Sequence, residues 1–257
     1  MNLFIFRIET TDKIFSDQYF SPSEFSKSQD GLINALDIGC GIGGGCDYLS
    51  KIFPGSSVLG LDLAKNCIDI AQERYTKNNS NVSFKVADAI EFSKELPVES
   101  FNLIYSRDAL LHIASKDLLF SRLLNITKVG GKFLFTDYCA APRDTWSSEF
   151  ETYVAERGYT LHTVEEYKKI LEKAGWLVER AEDTTDWFIE VLKDEISKMT
   201  STSRREEFLS KFSEKELDDL LKGWEEKVVR SSKGEQRWGL FIATKADSGL
   251  LDSRKAA

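Results

Sequence analysis

The chain has 257 residues, 42% of them hydrophobic and 30% charged, with only 4 prolines, which is the composition of an ordinary soluble globular protein and excludes disorder as its main state. Its 42 acidic residues against 34 basic ones give a formal net charge of −8, and a surface this acidic repels a phosphate backbone, so nucleic acid is not the expected partner. No apolar run approaches the roughly 20 residues that cross a bilayer, and the run at 3–6 is too short for a secretory leader, so no membrane insertion and a cytoplasmic location are expected. In chain order, β-branched runs at 33–38, 57–62, 82–86, 101–106 and 132–138 read as five strands. Between them, 65–76 and 118–128 carry apolar residues at helical spacing, so the pattern predicts βαβ units and a doubly wound parallel sheet. From 142 to 230 the pattern is almost entirely helical, and Thr163/Glu166 and Ser213/Glu216 fit capping boxes that open two helices. A strand at 176–180 interrupts them, a last strand at 238–244 returns to the sheet, and the polar tail 246–257 is expected to be flexible. One core with one cap implies a monomer.

The strongest local signal is Leu36-Asp37-Ile38-Gly39-Cys40-Gly41-Ile42-Gly43-Gly44-Gly45, where the first strand meets a helix. Glycines there let the backbone approach a nucleotide-like ligand and free the helix amides to face it. Dinucleotide enzymes use a similar turn, but Asp37 before the first glycine would repel a pyrophosphate and suits a cationic ligand such as S-adenosylmethionine, which carries a sulfonium and no phosphate. Asp62, at the end of the second strand, is placed for ribose hydroxyls, and Asp88, after the third, for an adenine amino group. The competing reading makes these three aspartates helix caps beside a tight turn.

After the fourth strand, Asp108 and His112 stand four residues apart, so a helix starting there would put both on one face. An amine that accepts a methyl group needs a carboxylate to hold its cationic form and a base to remove a proton, roles that suit Asp108 and His112. A capping aspartate with a partly buried histidine fits the same spacing. Cys40, Cys46, Cys67 and Cys139 lack CxxC spacing and only 2 histidines could assist them, so reduced thiols and no metal are expected.

These segments, with Thr136-Asp137-Tyr138-Cys139, Arg157-Gly158-Tyr159-Thr160-Leu161 and Gln236-Arg237-Trp238-Gly239, resemble the phosphoethanolamine N-methyltransferases of nematodes, malaria parasites and plants. The resemblance runs from about residue 13 to 245. It implies an α/β fold with a doubly wound, Rossmann-like class I methyltransferase sheet and a helical cap inserted after strand five, divided as core 31–140, substrate cap 141–235 and last core strand 236–245. It also implies methyl transfer from S-adenosylmethionine, leaving S-adenosylhomocysteine, to phosphoethanolamine or its partly methylated forms, towards phosphocholine. Ser21, Gly39, Gly41, Asp62, Asp88, Ala89 and Arg107 would hold the cofactor alongside Asp37. Asp108 would contact the amine, and His112 would work with a tyrosine. Tyr138, Tyr153, Arg157, Tyr159 and Lys227 would bind the phosphobase, where a guanidinium fork, an ammonium and hydroxyls suit a dianion. Without that resemblance Arg157 and Lys227 read as solvated helix charges and the three tyrosines as cap packing.

The departure lies at the N-terminus. The segment 13–22 resembles the family, but its Gln-Tyr-Thr motif, expected near Asn2-Leu3-Phe4, is missing, and with it the tyrosine partner of His112. The tyrosine expected near Thr11 is absent, Ser23-Glu24 replaces a glycine pair, and the link from Ser21 to Asp37 is short, so 1–30 reads as a divergent lid. A catalytically impaired binder of cofactor and phosphobase, a methyltransferase of another small amine and an NAD-dependent oxidoreductase are the rival functions.

Overall fold

The computed structural model describes residues 32–76, 81–210 and 212–247. The N-terminal segment that carries Ser21, and the far tail, lie outside the described residues. Seven strands form one sheet: β1 (Asn34–Ile38), β2 (Ser57–Asp62), β3 (Val82–Val86), β4 (Phe101–Arg107), β5 (Thr127–Ala140), β6 (Leu177–Asp183) and β7 (Gln236–Thr244). Their order is β3-β2-β1-β4-β5-β7-β6. The first five pair in parallel, and β7 runs antiparallel between β5 and β6. The order reverses between β1 and β4, the switch point at which open α/β sheets leave a crevice beyond the strand C-termini.

Both faces of the parallel strands are apolar, so alternate residues enter different cores. Ala35, Leu103 and Tyr105 pack with helix α1 (Gly44–Ile52) on one face. Leu36, Ile38 and Ile104 face the other, where α4 (Lys116–Ile126) contributes Leu119, Phe120 and Leu123. Helix α2 (Lys65–Ala71) ends in a single π turn at Gln72–Thr76, and α3 (Ala89–Ser93) is a short helix capped by Asp88.

Past β5 come α5 (Ser148–Arg157), α6 (Val164–Ala174), α7 (Thr185–Thr200), α8 (Thr202–Leu209) and α9 (Glu214–Ser232). Both anticipated capping boxes are present: Thr163 with Glu166 opens α6, and Ser213 with Glu216 opens α9. The stretch 141–235 is not purely a cap, because β6 completes the sheet edge and α6 buries Tyr167 and Leu171 in the same core as Phe120 and Phe241. Strand β5 starts earlier than its sequence suggests. Gly130 takes φ +75 and donates to the Lys245 carbonyl, so the chain passes the glycine pair without leaving the sheet. No helix among the described residues is long and apolar enough to cross a membrane.

Candidate active site

The crevice at the switch point has a volume of about 660 Å³ and is built from four strand ends. Gly39 and Gly41 come from the turn after β1, Asp62 from β2, Asp88 and Ala89 from the β3–α3 junction, and Arg107, Asp108 and His112 from the turn after β4. Gly39 sits at φ +72, and a Cβ there would fall 2.2 Å from the Cβ of Ala109, so the turn tolerates only glycine against its neighbour. Asp62 fixes the loop from below: its carboxylate accepts from the amides of Gly41 at 2.8 Å and Ala64 at 2.8 Å. Asp88 caps α3 through Oδ1, which accepts from Ile90 and Glu91. A carboxylate offers about four lone-pair sites, so these bonds leave acceptor capacity on two residues that also line the crevice.

Asp37 is placed otherwise. It is 3% exposed and does not line the crevice; its Oδ2 accepts from the Cys46 thiol at 3.3 Å beneath the glycine turn. Burial raises its pKa to about 7, against smaller opposing effects of the Cys46 bond and the Arg107 charge. Its carboxylate therefore lies against Cys46 of α1, outside the residues that line the crevice.

A second cavity, of about 340 Å³, opens between the turn after β4 and the cap. Asp108, Tyr138, Tyr153, Arg157, Tyr159 and Lys227, the residues matched to a phosphobase site, all line it. Their elements are far apart in sequence: Tyr138 lies near the end of β5, Tyr153 and Arg157 on the last turns of α5, Tyr159 follows that helix, and Lys227 belongs to α9. Helix α5 stops at Gly158, whose φ of +63 turns the chain so that Tyr159 faces the cavity beside Tyr153 and Tyr138. Tyr159 and His112 meet edge to face with ring centroids 5.1 Å apart. Burial pushes the Tyr159 phenol well above its usual pKa, so it serves as a neutral donor.

Asp108 and His112 line both cavities and stand at their junction. The anticipated helix that would align them does not form. Asp108 adopts φ +51, and the chain makes one 3-10 turn at Leu110–His112 instead. This left-handed backbone costs about 1 kcal/mol or more for a non-glycine residue. Three bonds hold it there: its amide donates to the Thr136 carbonyl at 2.8 Å, and its Oδ1 accepts from the Trp238 indole at 2.7 Å and the Thr136 hydroxyl at 3.3 Å. His112 lies at the open rim, where desolvation first and the Lys116 charge second lower its pKa, against an upward pull from Asp62. It is therefore neutral at neutral pH.

The cap brings residues that local sequence did not single out. Arg230, one turn beyond Lys227 on α9, lines the same cavity and stacks on Tyr153 at 3.8 Å, while its Nε donates to Gln236. Asp219, Glu226 and Trp224 line it too, so the cap concentrates both signs of charge and not cations alone. The three-residue spacing from Lys227 puts Arg230 on the same face of α9, a signal legible in the sequence; the Trp238–Asp108 bond has no local signal, as its partners are 130 positions apart.

This sheet order and this crevice define a methyltransferase domain, and the Methyltransferase domain family matches residues 29–175. The chain is 43% identical to phosphoethanolamine N-methyltransferase 1 of Zea mays over 91% of this chain and 47% of that protein. It is 40% identical to the Plasmodium falciparum phosphoethanolamine N-methyltransferase over 93% of this chain and 85% of that one. The structure of Haemonchus contortus phosphoethanolamine N-methyltransferase 2 in complex with phosphomonomethylethanolamine and S-adenosylhomocysteine superposes with a TM-score of 0.78 at 33% identity, covering 93% of this chain and 57% of that one. The chain belongs to the phosphoethanolamine N-methyltransferase family. It spans about half the length of the plant relatives it matches.

Proposed function

We propose that this protein is an S-adenosylmethionine-dependent N-methyltransferase that methylates phosphoethanolamine or its mono- and dimethyl forms towards phosphocholine. The observation that carries this reading is the shared position of Asp108 and His112 between a glycine-lined crevice and a cavity furnished with Arg157 and Lys227. The crevice fits the cofactor: its volume suits a nucleoside, its glycine turn admits no Cβ at Gly39, and Asp62 and Asp88 offer acceptors to ribose and base. When bound, S-adenosylmethionine supplies an electrophilic methyl group on a cationic sulfur.

This chain's residues do the rest. Arg157, Lys227 and the three tyrosine hydroxyls suit a dianionic phosphate at the cap end. Asp108, with its carboxylate fixed by Trp238, attracts the ammonium end of the same small zwitterion. Neutral His112 would take a proton from the ammonium, leaving the nitrogen with the free lone pair that methylation requires. Residues of α5 and α9 wall the acceptor cavity and would orient the acceptor, a contribution to rate through positioning. A cytoplasmic, monomeric protein agrees with this reading.

The test is a methyl-transfer assay with phosphoethanolamine and its mono- and dimethyl forms, run beside calorimetry with S-adenosylhomocysteine. Turnover of at least one acceptor is expected; cofactor binding without turnover of any would favour the impaired binder, and no cofactor binding would overturn the assignment.

A further inference from the structure

Lys116 opens helix α4 beneath the site, and it is 1% exposed, an unusual place for a lysine. Its Nζ donates to the Ile113 carbonyl at 2.9 Å and to the Thr160 carbonyl at 2.7 Å. The first carbonyl ends the 3-10 turn that carries His112; the second belongs to the loop that carries Tyr159. The same two segments are joined again by the Thr160 amide, which donates to the Leu111 carbonyl at 2.8 Å. Behind the ammonium lie the Tyr167 ring, 5.5 Å away, and the fully buried Asp137, whose carboxylate accepts from the Tyr167 hydroxyl. A buried ammonium needs such partners, because an uncompensated one costs several kcal/mol.

We propose that Lys116 is a positioning residue for this site: its ammonium ties the His112 turn to the Tyr159 loop and sets a fixed positive charge under both. The proposal rests on the N-methyltransferase reading for its consequence in turnover, while its electrostatic part stands apart from it. Burial lowers the Lys116 pKa, and Asp137 opposes that fall, so the lysine stays charged at neutral pH. The chain has 2 histidines, and after desolvation Lys116 is the next cause lowering the pKa of both His112 and His162. Other charges also face them. Asp62 across the crevice favours protonation of His112, while Asp108, Arg157, Lys227, Asp219 and Glu226 line the same cavity as the imidazole. His162, which precedes α6, faces Glu166 in the first turn of that helix, 3.7 Å away.

Lys116→Gln retains amide donors without the charge, Lys116→Met removes both, and Lys116→Arg retains both. Proton NMR titration of the two imidazoles, assigned with His162→Asn, reads the charge directly. We expect both titration midpoints to move up in the Gln and Met variants and to stay in place in Lys116→Arg. Turnover should fall about 10²-fold in Lys116→Met, as a misplaced acceptor site does, with cofactor affinity kept within about twofold and partial rescue by Arg. The acid limb of the pH–rate profile should rise with the His112 midpoint. Unchanged midpoints in a folded Gln or Met variant would overturn the proposal; if Lys116→Met does not fold, Lys116→Gln decides. Shifted midpoints in a protein that methylates no phosphobase would keep the electrostatic assignment and reject the functional reading instead.

Discussion

The indole Nε1 of Trp238 donates to Oδ1 of Asp108 at 2.7 Å, joining the last strand of the sheet to the turn after the fourth. This bond steers the one carboxylate that both cavities share. Trp238 is itself clamped, 1% exposed and stacked on Phe188 with centroids 5.0 Å apart. Trp238→Phe keeps most of the ring contact and removes the donor. A hydrogen bond to a charged group is worth about 1.5–3 kcal/mol, so turnover should fall roughly 10- to 100-fold. Calorimetry with S-adenosylhomocysteine should show little change, because Trp238 does not line the crevice.

Arg157 and Lys227 should separate binding from chemistry. Under the proposed function, Arg157→Ala and Lys227→Ala each remove a charge-assisted partner of the phosphate, with an expected loss of about 1.5–3 kcal/mol that appears as a raised KM for phosphobase. The maximal rate at saturation should change far less. Steady-state kinetics at several acceptor concentrations check this, and an unaltered KM in both variants would refute the cation assignment.

Under the proposed function, His112 sets the acid side of the rate profile. Its pKa lies below the usual 6.5 because the site walls desolvate the charged imidazolium and Lys116 repels it. The neutral base therefore persists to lower pH than a free histidine would allow, and turnover should decline only as pH drops through that depressed value. His112→Asn should lose about 10²–10⁴-fold in rate while both ligands still bind, and the acid limb should vanish with it.

Asp37 gives a prediction about stability. Its folded-state pKa of about 7 exceeds the reference 3.8, so the folded protein binds a proton there more tightly than the unfolded chain. Stability from this group is greatest below about pH 4 and falls as pH rises towards 7, where the folded carboxyl must ionise. Asp37→Asn removes the penalty. At pH 8 its Tm should match or exceed that of the parent protein, by the equivalent of on the order of 2–4 kcal/mol at most, and the gap should close at pH 4 to 5. Thermal melts across that range measure it.

The parts of the fold legible in the sequence are those decided locally. Strands β2 and β3 fall where their β-branched runs stand, and Ser213 and Thr163 open helices because a hydroxyl and a glutamate three residues on satisfy amides without outside help. The glycine turn and the acids at strand ends were likewise readable, since a parallel sheet fixes where its C-termini point. What escaped was decided by distant partners. Nothing near Asp108 announces φ +51; Thr136 and Trp238 impose it. Nothing near Asp37 shows that Cys46 and the adjoining helix enclose it. The burial of Lys116 depends on a carbonyl 44 residues away.

The position of β7 bears on how the protein is made. Among the described residues β6 pairs only with β7, and β7 slots between β6 and β5 after every other described element has been synthesised. While the ribosome is still short of Gln236, β5 has an open edge and β6 has no neighbour, the kind of exposed edge that invites misassociation. Asp108 then also waits for its indole partner. The emerging chain can therefore assemble its glycine turn early, but the cavity that Asp108 lines is organised only once β7 has entered the sheet.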